Sequence, residues 1–436
     1  MTLNSGIDPS GVSFGKYRRD VVDDELDELF GVLPAIALEG AKAVGKTATA
    51  TMRAKTVHKL DNSYERSIIQ ADSARIVQGV PPILIDEWQR LPETFDRVRR
   101  AVDDGAPAGS FLLAGSASPI LGSLHSGAGR IVRVRMRPLT LVERGVESPT
   151  VSLAHLLEGG RPRIEGDTNI GLERYVEEIL RSGFPGTLDL SGRALRAVLD
   201  GYLERIVDRD FTELGRQVRR PLTLLRWMRA YAAATATTTS YEKIRNAAMG
   251  DRSEIPSRAT TQPYRDILER LWILDPLPAW LPTNNHLSRV SAPPKHHLAD
   301  PALAARLLGV DAVSLLGAKR VEPVIPRDGT LLGALFESLV TICVRVYAQA
   351  AEARTAHLRT WSGDHEVDLL VETGHGVLAI EVKLGQVPDE RDVRHLHWLG
   401  EVLGEDLIDA VVITTGTAAY RRRDGIAVVP AALLGP

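Results

Sequence analysis

The chain has 436 residues, too many for one hydrophobic core, so two or three domains are expected. Hydrophobic residues make up 44% and charged residues 25%, the balance of an ordinary globular protein and not of a disordered one. A net charge of -3 excludes a globally basic nucleic-acid binder, so any contact with DNA has to come from a local basic patch.

Residues 1–30 lack the apolar core of a signal peptide and are expected to form an arm and a helix from Val21 to Phe30. Ala35-Ile36-Ala37-Leu38 is an apolar run of strand type, and Thr47 to Thr56 is free of turn residues and reads as a helix. Between them Gly40-Ala41-Lys42-Ala43-Val44-Gly45-Lys46-Thr47 fits G-x-x-x-x-G-K-[ST]. A glycine-rich turn in that context points main-chain N–H groups at a β-phosphate. Lys46 then reaches the β- and γ-phosphates and the Thr47 hydroxyl ligates Mg²⁺. The phosphate-contact set is Gly40, Ala41, Lys42, Ala43, Val44, Gly45, Lys46, Thr47 and Ala48.

Pro81 to Trp88 is an apolar burst ending in Asp86 and Glu87, the pattern of a buried parallel strand with acids at its C-terminal edge. Ligands lie at that edge in open α/β sheets. Asp86 is expected to hold Mg²⁺ through its water shell, and Glu87 to polarise the water that attacks the γ-phosphate. Together the two motifs make ATP with Mg²⁺ the expected ligand. Phe111 to Ala117 is a further strand ending at Ser116, readable as a γ-phosphate sensor or as a plain Gly-Ser turn. Arg130 is a candidate arginine finger, in cis or toward a neighbouring subunit. The period-two alternation from Arg130 to Arg135 fits a solvated strand face almost as well.

Residues 31–145 therefore read as an α/β domain with a parallel sheet, and 146–170, rich in Gly, Pro and Glu, as a linker. Residues 171–325 are mostly helical. Leu172 to Leu180 and Leu195 to Phe211 are amphipathic, and Pro221 opens a helix from Leu222 to Ala234. Ser240 caps Tyr241 to Ala248, and Ser257 to Thr261 leads into a helix from Tyr264 to Leu274. Asp275 to Trp280 then reads as a wing, which makes a winged helix-turn-helix with Arg258, Arg265 and Arg270 on or near its recognition helix.

Residues 326–436 carry a separate constellation. Leu331 to Ala350 is a long helix holding Glu337. Strands Glu366 to Val371 and Val377 to Lys383 are joined by the hairpin turn Thr373-Gly374-His375-Gly376. Asp368 and the same-face pair Glu381 and Lys383 then form a divalent-metal site suited to phosphodiester hydrolysis, or a structural ion pair left in a silent descendant. The single Cys343 excludes an intramolecular disulfide and fits a reducing, cytoplasmic setting. No apolar run approaches the roughly 20 residues of a bilayer span, so no membrane role is expected.

These motifs, with Tyr202 to Asp210 and the run from Lys295 through Asp300-Pro301-Ala302-Leu303, stand in the order seen in a widespread prokaryotic family. The chain resembles an AAA-type P-loop ATPase carrying a C-terminal DUF4143 domain. The resemblance implies an ATPase core, a winged-helix middle and a PD-(D/E)xK nuclease-like end. It implies Lys46 and Thr47 as phosphate and Mg²⁺ contacts, Asp86 and Glu87 as the second acidic motif and Ser116 as sensor. By the nuclease pattern Glu337, Asp368, Glu381 and Lys383 form the metal and catalytic set. Three functions follow: an ATP-driven switch acting on DNA, a protein partner or a second copy; a slow regulatory module; or a nucleotide-gated nuclease.

Overall fold

The computed structural model of the chain describes residues 17–18, 21–116, 129–211, 221–248, 257–282, 292–317 and 329–436. It divides into two compact units, Met1–Met136 and Arg137–Pro436.

In the first unit α1 (Val21–Phe30) precedes β1 (Ala35–Glu39), α2 (Lys46–Thr51), β2 (Thr56–Lys59), α3 (Ser63–Ala71) and β3 (Ile83–Asp86). Then come α4 (Glu93–Asp103), β4 (Phe111–Gly115) and β5 (Val132–Arg135). Among the described residues these strands make one five-stranded sheet, ordered β2-β3-β4-β1-β5 and parallel throughout. β1, β3 and β4 are buried along their whole length, which explains their unbroken apolar runs. Trp88, Phe95 and Val98 pack with Ile83, Ile85 and Leu113 on one face of this sheet, the Trp88 and Phe95 rings 5.0 Å apart. Most of the arm lies outside the described residues. Tyr17 donates to Asp23, whose buried carboxylate also pairs with Arg53 at 2.7 Å.

The helix expected from Thr47 to Thr56 ends at Thr51, and Thr56 already begins β2. Three β-branched threonines in six residues weaken the helix, and the chain turns at Met52 and Arg53. β2 is only half buried at the sheet edge, so it has no apolar run to betray it.

The second unit opens with β6 (Val151–Ser152), α5 (Leu153–Leu157) and β7 (Gly166–Asp167). Its helical part holds α6 (Leu172–Arg181), α7 (Gly192–Arg205), α8 (Pro221–Ala233), α9 (Tyr241–Ala247) and α10 (Arg258–Arg270). β8 (Ala279–Trp280), α11 (Pro301–Leu308), α12 (Ala312–Leu316) and α13 (Gly329–Ala350) follow. The unit closes with β9 (Arg354–Arg359), β10 (Glu366–Thr373), β11 (Gly376–Val382), α14 (Glu390–Leu403), β12 (Leu407–Thr414), β13 (Ala418–Arg421), β14 (Ala427–Pro430) and β15 (Leu434–Gly435). Eight strands form a mixed sheet ordered β7-β13-β14-β12-β11-β10-β9-β8 among the described residues. Val393, Leu396 and Leu399 of α14 cover Val367, Leu370, Ala379 and Val412 on one of its faces.

The stretch read as a linker is built into this unit: β6 pairs with β15 and β7 with β13. Strands of two residues leave no periodicity in a sequence. α10 starts at Arg258, six residues before the expected Tyr264, and carries Pro263 inside its first turns. The segment read as a wing divides. Leu274 and Leu277 bridge antiparallel to Leu298 and Lys295, whereas Ala279 and Trp280 leave as β8 to pair with β9.

One described helix, Thr330–Ala350, is long and apolar enough to cross a membrane, contrary to the expectation that none is. Glu337 and Arg345 interrupt its apolar run, and 67% of its apolar window is buried within the fold, as in a core helix.

Candidate nucleotide site

β1 delivers the chain to its C-terminal edge at Glu39, where the loop Gly40–Gly45 turns into α2. Gly40 has φ 155°, Ala43 67° and Gly45 106°, a run of left-handed conformations that curls the main chain into a cup. At Gly40 a Cβ would fall 2.3 Å from the Met136 carbonyl oxygen, so only glycine fits there. Lys46 lies back over this loop and its Nζ donates to the carbonyls of Gly40 at 2.9 Å and Ala41 at 2.7 Å.

β3 and β4 bring the other groups to the same edge. Thr47 Oγ1 donates to Asp86 Oδ1 at 2.8 Å. Glu87 follows at once in the left-handed region, φ 54° and ψ 39°, a conformation that costs about 1–3 kcal/mol and is met most often at functional sites. Its two oxygens are both held: Ser116 Oγ donates to Oε1 at 3.1 Å and Gln89 Nε2 to Oε2 at 2.6 Å. Gly115 makes that clamp feasible, because a Cβ there would fall 2.6 Å from Trp88 Nε1 and 2.8 Å from Gln89 Oε1.

Burial dominates the electrostatics. It pulls the Lys46 ammonium down to about 8, although Glu87 and Asp86 pull the other way. It pushes the Asp86 carboxyl up to about 6, against the Thr47 hydrogen bond. Glu39 is likewise raised by burial, with Arg133 and Arg135 opposing. The donor set fits Mg²⁺: a hydroxyl and a carboxylate oxygen from two different elements already lie within 2.8 Å. Bound there, Mg²⁺ would neutralise phosphate charge, and Thr47 and Asp86 would hold it.

The five residues Lys46, Thr47, Asp86, Glu87 and Ser116, scattered over 71 positions (46 to 116), thus meet at one sheet edge. Lys42, Ala43, Val44 and Ala48 lie in or beside the same loop. Arg130 does not join them. It precedes β5 at the opposite, N-terminal edge of the sheet, 47% exposed, with its Nε 2.8 Å from Asp103 Oδ1. Four residues of strand, about 13 Å, separate that edge from the loop, so the finger expected in cis is ruled out. Part of the Gly/Ser stretch before it lies outside the described residues. Two neighbours escaped the sequence reading, Gln89 and Arg135. Arg135 pairs in register with Glu39 at the loop's edge, and its charge acts on both Lys46 and Glu39. Its place at the end of a strand parallel to β1 was the available signal.

If this site turns over ATP, two limbs are expected in kcat/KM against pH. Mg²⁺ needs Asp86 ionised, so the parameter should rise with pH through about 6. Phosphate binding needs Lys46 protonated, so it should fall again through about 8. Steady-state rates from pH 5 to 9 check this; a profile flat across both limbs would refute it.

In the second unit, Asp368 on β10 and Glu381 at the end of β11 are adjacent, with Glu337 of α13 nearby. Lys383 Nζ donates to Glu381 Oε2 at 2.9 Å. Glu337 is not solvated on its helix: Lys295 Nζ donates to its Oε1 at 2.8 Å. Burial, helped by the Asp368 charge, pushes Glu337 up to about 8, and the same two causes push Glu381 well above the carboxylate range. Burial alone would raise Asp368 as well, but Lys295 and Lys383 hold it below that range.

Residues 33–144 match the family model described as an AAA domain. Residues 332–434 match a domain of unknown function, DUF4143, and 172–314 another, DUF8612. The chain joins an AAA domain to a DUF4143 domain. Two relatives are uncharacterized proteins, Mb2031c of Mycobacterium bovis and Rv2008c of Mycobacterium tuberculosis. Each is 27% identical over 406 residues, covering 91% of this chain and 80% of the relative. Among solved structures, a Walker-type ATPase of Pyrococcus abyssi aligns with 70% of this chain and 99% of its own, at 15% identity and TM-score 0.39. Drosophila ORC bound to DNA aligns with 66% of this chain and 94% of its own, at 12% identity and TM-score 0.23. The AAA domain match spans every residue of the site built above, from Gly40 to Ser116.

Proposed function

We propose that the protein binds ATP with Mg²⁺ at the Gly40–Thr47 loop, hydrolyses it, and uses the cycle to switch its action on DNA or a protein partner. The meeting of Lys46, Thr47, Asp86, Glu87 and Ser116 at one edge of a parallel sheet carries this reading. In it the loop amides and Lys46 grip the phosphates while Thr47 and Asp86 hold the metal. Glu87 takes the proton of the attacking water, and Ser116, bonded to Glu87, reports whether a γ-phosphate is present.

A path for the signal is built into the loop. The Met136 N–H donates to Glu39 O at 2.7 Å, and its carbonyl lies against Gly40. Met136 is the last residue of the first unit, and in this reading the loop is tied to it directly.

DNA is the favoured partner because α9 and α10 flank a cleft lined by Trp227, Tyr241, Arg258 and Arg265, with Arg245 paired to Glu242 at its side. Arginine and aromatic side chains together suit a phosphodiester backbone. The Arg265 guanidinium lies 4.7 Å over the Tyr241 ring, which holds it in the cleft. Arg130 fits this scheme only as a finger offered to a neighbouring copy.

Turnover of ATP by the purified protein, alone and titrated with double- and single-stranded DNA, tests the reading. Basal hydrolysis raised several-fold by DNA is the expected result. Hydrolysis indifferent to DNA would favour a protein partner or a slow regulatory module, and no hydrolysis under any condition would reject the assignment.

A further inference from the structure

A nuclease centre of the type implied by the C-terminal acids needs carboxylates free to share a divalent cation. Here another cation stands among them. The Lys295 ammonium lies 2.8 Å from Glu337 Oε1, 3.0 Å from Asp368 Oδ1 and 3.4 Å from Glu366 Oε1. The second Asp368 oxygen accepts from the Val382 N–H at 3.0 Å, and Glu381 Oε2 is taken by Lys383. Glu381 Oε1 is buried without a hydrogen-bond partner, but the ammonium already sits on the Glu337 and Asp368 oxygens that a cation bound at about 2.0–2.1 Å would need beside it.

Lys295 has little freedom to leave. Its side chain is 0% exposed, and its main-chain N–H and carbonyl both pair with Leu277 at 2.9 Å. Swinging the stem out would strand three acids, and the paired main chain cannot move out with it. A metal does not fit this set of donors.

We propose that Lys295 is the resident cation of the acid cluster, holding the place a divalent metal takes in a nuclease, so that the cluster is a structural lock without hydrolytic activity. The proposal concerns the second unit alone and stands or falls separately from the nucleotide reading. Lys295 reaches the cluster from a segment 42 residues before Glu337 and 73 before Asp368, so the lock fastens the helical part of the unit to its sheet.

The test uses the full chain without nucleotide. In Mn²⁺ titrations followed by calorimetry, wild type and Asp368→Asn are expected to give the same isotherm, and neither is expected to nick supercoiled plasmid with Mn²⁺. Lys295→Met keeps the aliphatic stem and removes the charge. It is expected to melt roughly 5–15 °C lower in the absence of metal, because a buried ion pair is broken. It is also expected to gain one Mn²⁺ site and to recover several degrees when Mn²⁺ is added. A wild-type Mn²⁺ site or plasmid nicking that disappears in Asp368→Asn would overturn the proposal, as would folded Lys295→Met that binds no additional Mn²⁺. Should Lys295→Met fail to fold, the double variant with Asp368→Asn removes one charge of each sign and is expected to fold. Its failure would equally overturn the lock.

Discussion

Glu87→Gln is expected to leave Mg-ATP affinity within about twofold of wild type and to cut turnover by roughly 10²–10⁴, the usual contribution of a positioned general base. The substitution keeps the side chain's size and one acceptor oxygen, so one of the bonds from Ser116 and Gln89, which today hold the two Glu87 oxygens at 3.1 and 2.6 Å, persists, while the amide nitrogen that replaces the other oxygen can only donate. What it removes is the carboxylate proposed to take the proton of water. Affinity should survive because, in the proposed reading, the loop and Lys46 grip the phosphates and Thr47 and Asp86 hold the metal. Calorimetry beside phosphate-release kinetics separates the two quantities. Equal turnover in the variant would remove Glu87 from the chemistry.

Lys46→Ala is expected to weaken ATP binding by roughly 10- to 100-fold, since a charge-assisted hydrogen bond contributes about 1.5–3 kcal/mol. In the free protein Lys46 is 6% exposed and bound to two carbonyls of its own loop. A triphosphate then exchanges those neutral acceptors for anionic ones, so its gain comes from charge more than from a new bond. Calorimetric titration with Mg-ATP reads the loss directly. Unchanged affinity would mean that the phosphates sit elsewhere.

The residues of the candidate nucleotide site could be picked out from the sequence because its parts are local. A loop of eight residues and a strand ending in two acids each carry their own signature, and the parallel sheet carries both to the same edge. What escaped depends on register or on distance along the chain. β2 is a half-buried edge strand without an apolar run, and β7 and β8 are two residues long. Arg130 looked well placed because the sequence does not show at which edge of the sheet β5 begins; the pairing of Ile36 with Val132 decides that. Lys295 beside Glu337 and Asp368 was invisible because nothing near Lys295 in sequence is acidic except Asp300, which caps α11 instead.

The ordering of the large mixed sheet carries a consequence for how this protein can be assembled or recombined. Among the described residues its six inner strands all come from β9 to β14, while the strands at its two margins, β7 and β8, are contributed by chain made well before them. A sheet margin with bare N–H and C=O groups recruits foreign strands. The last hundred residues therefore reach a self-contained form only against partners already synthesised, and in evolution they can be transplanted safely only together with the stretch that seals their flanks.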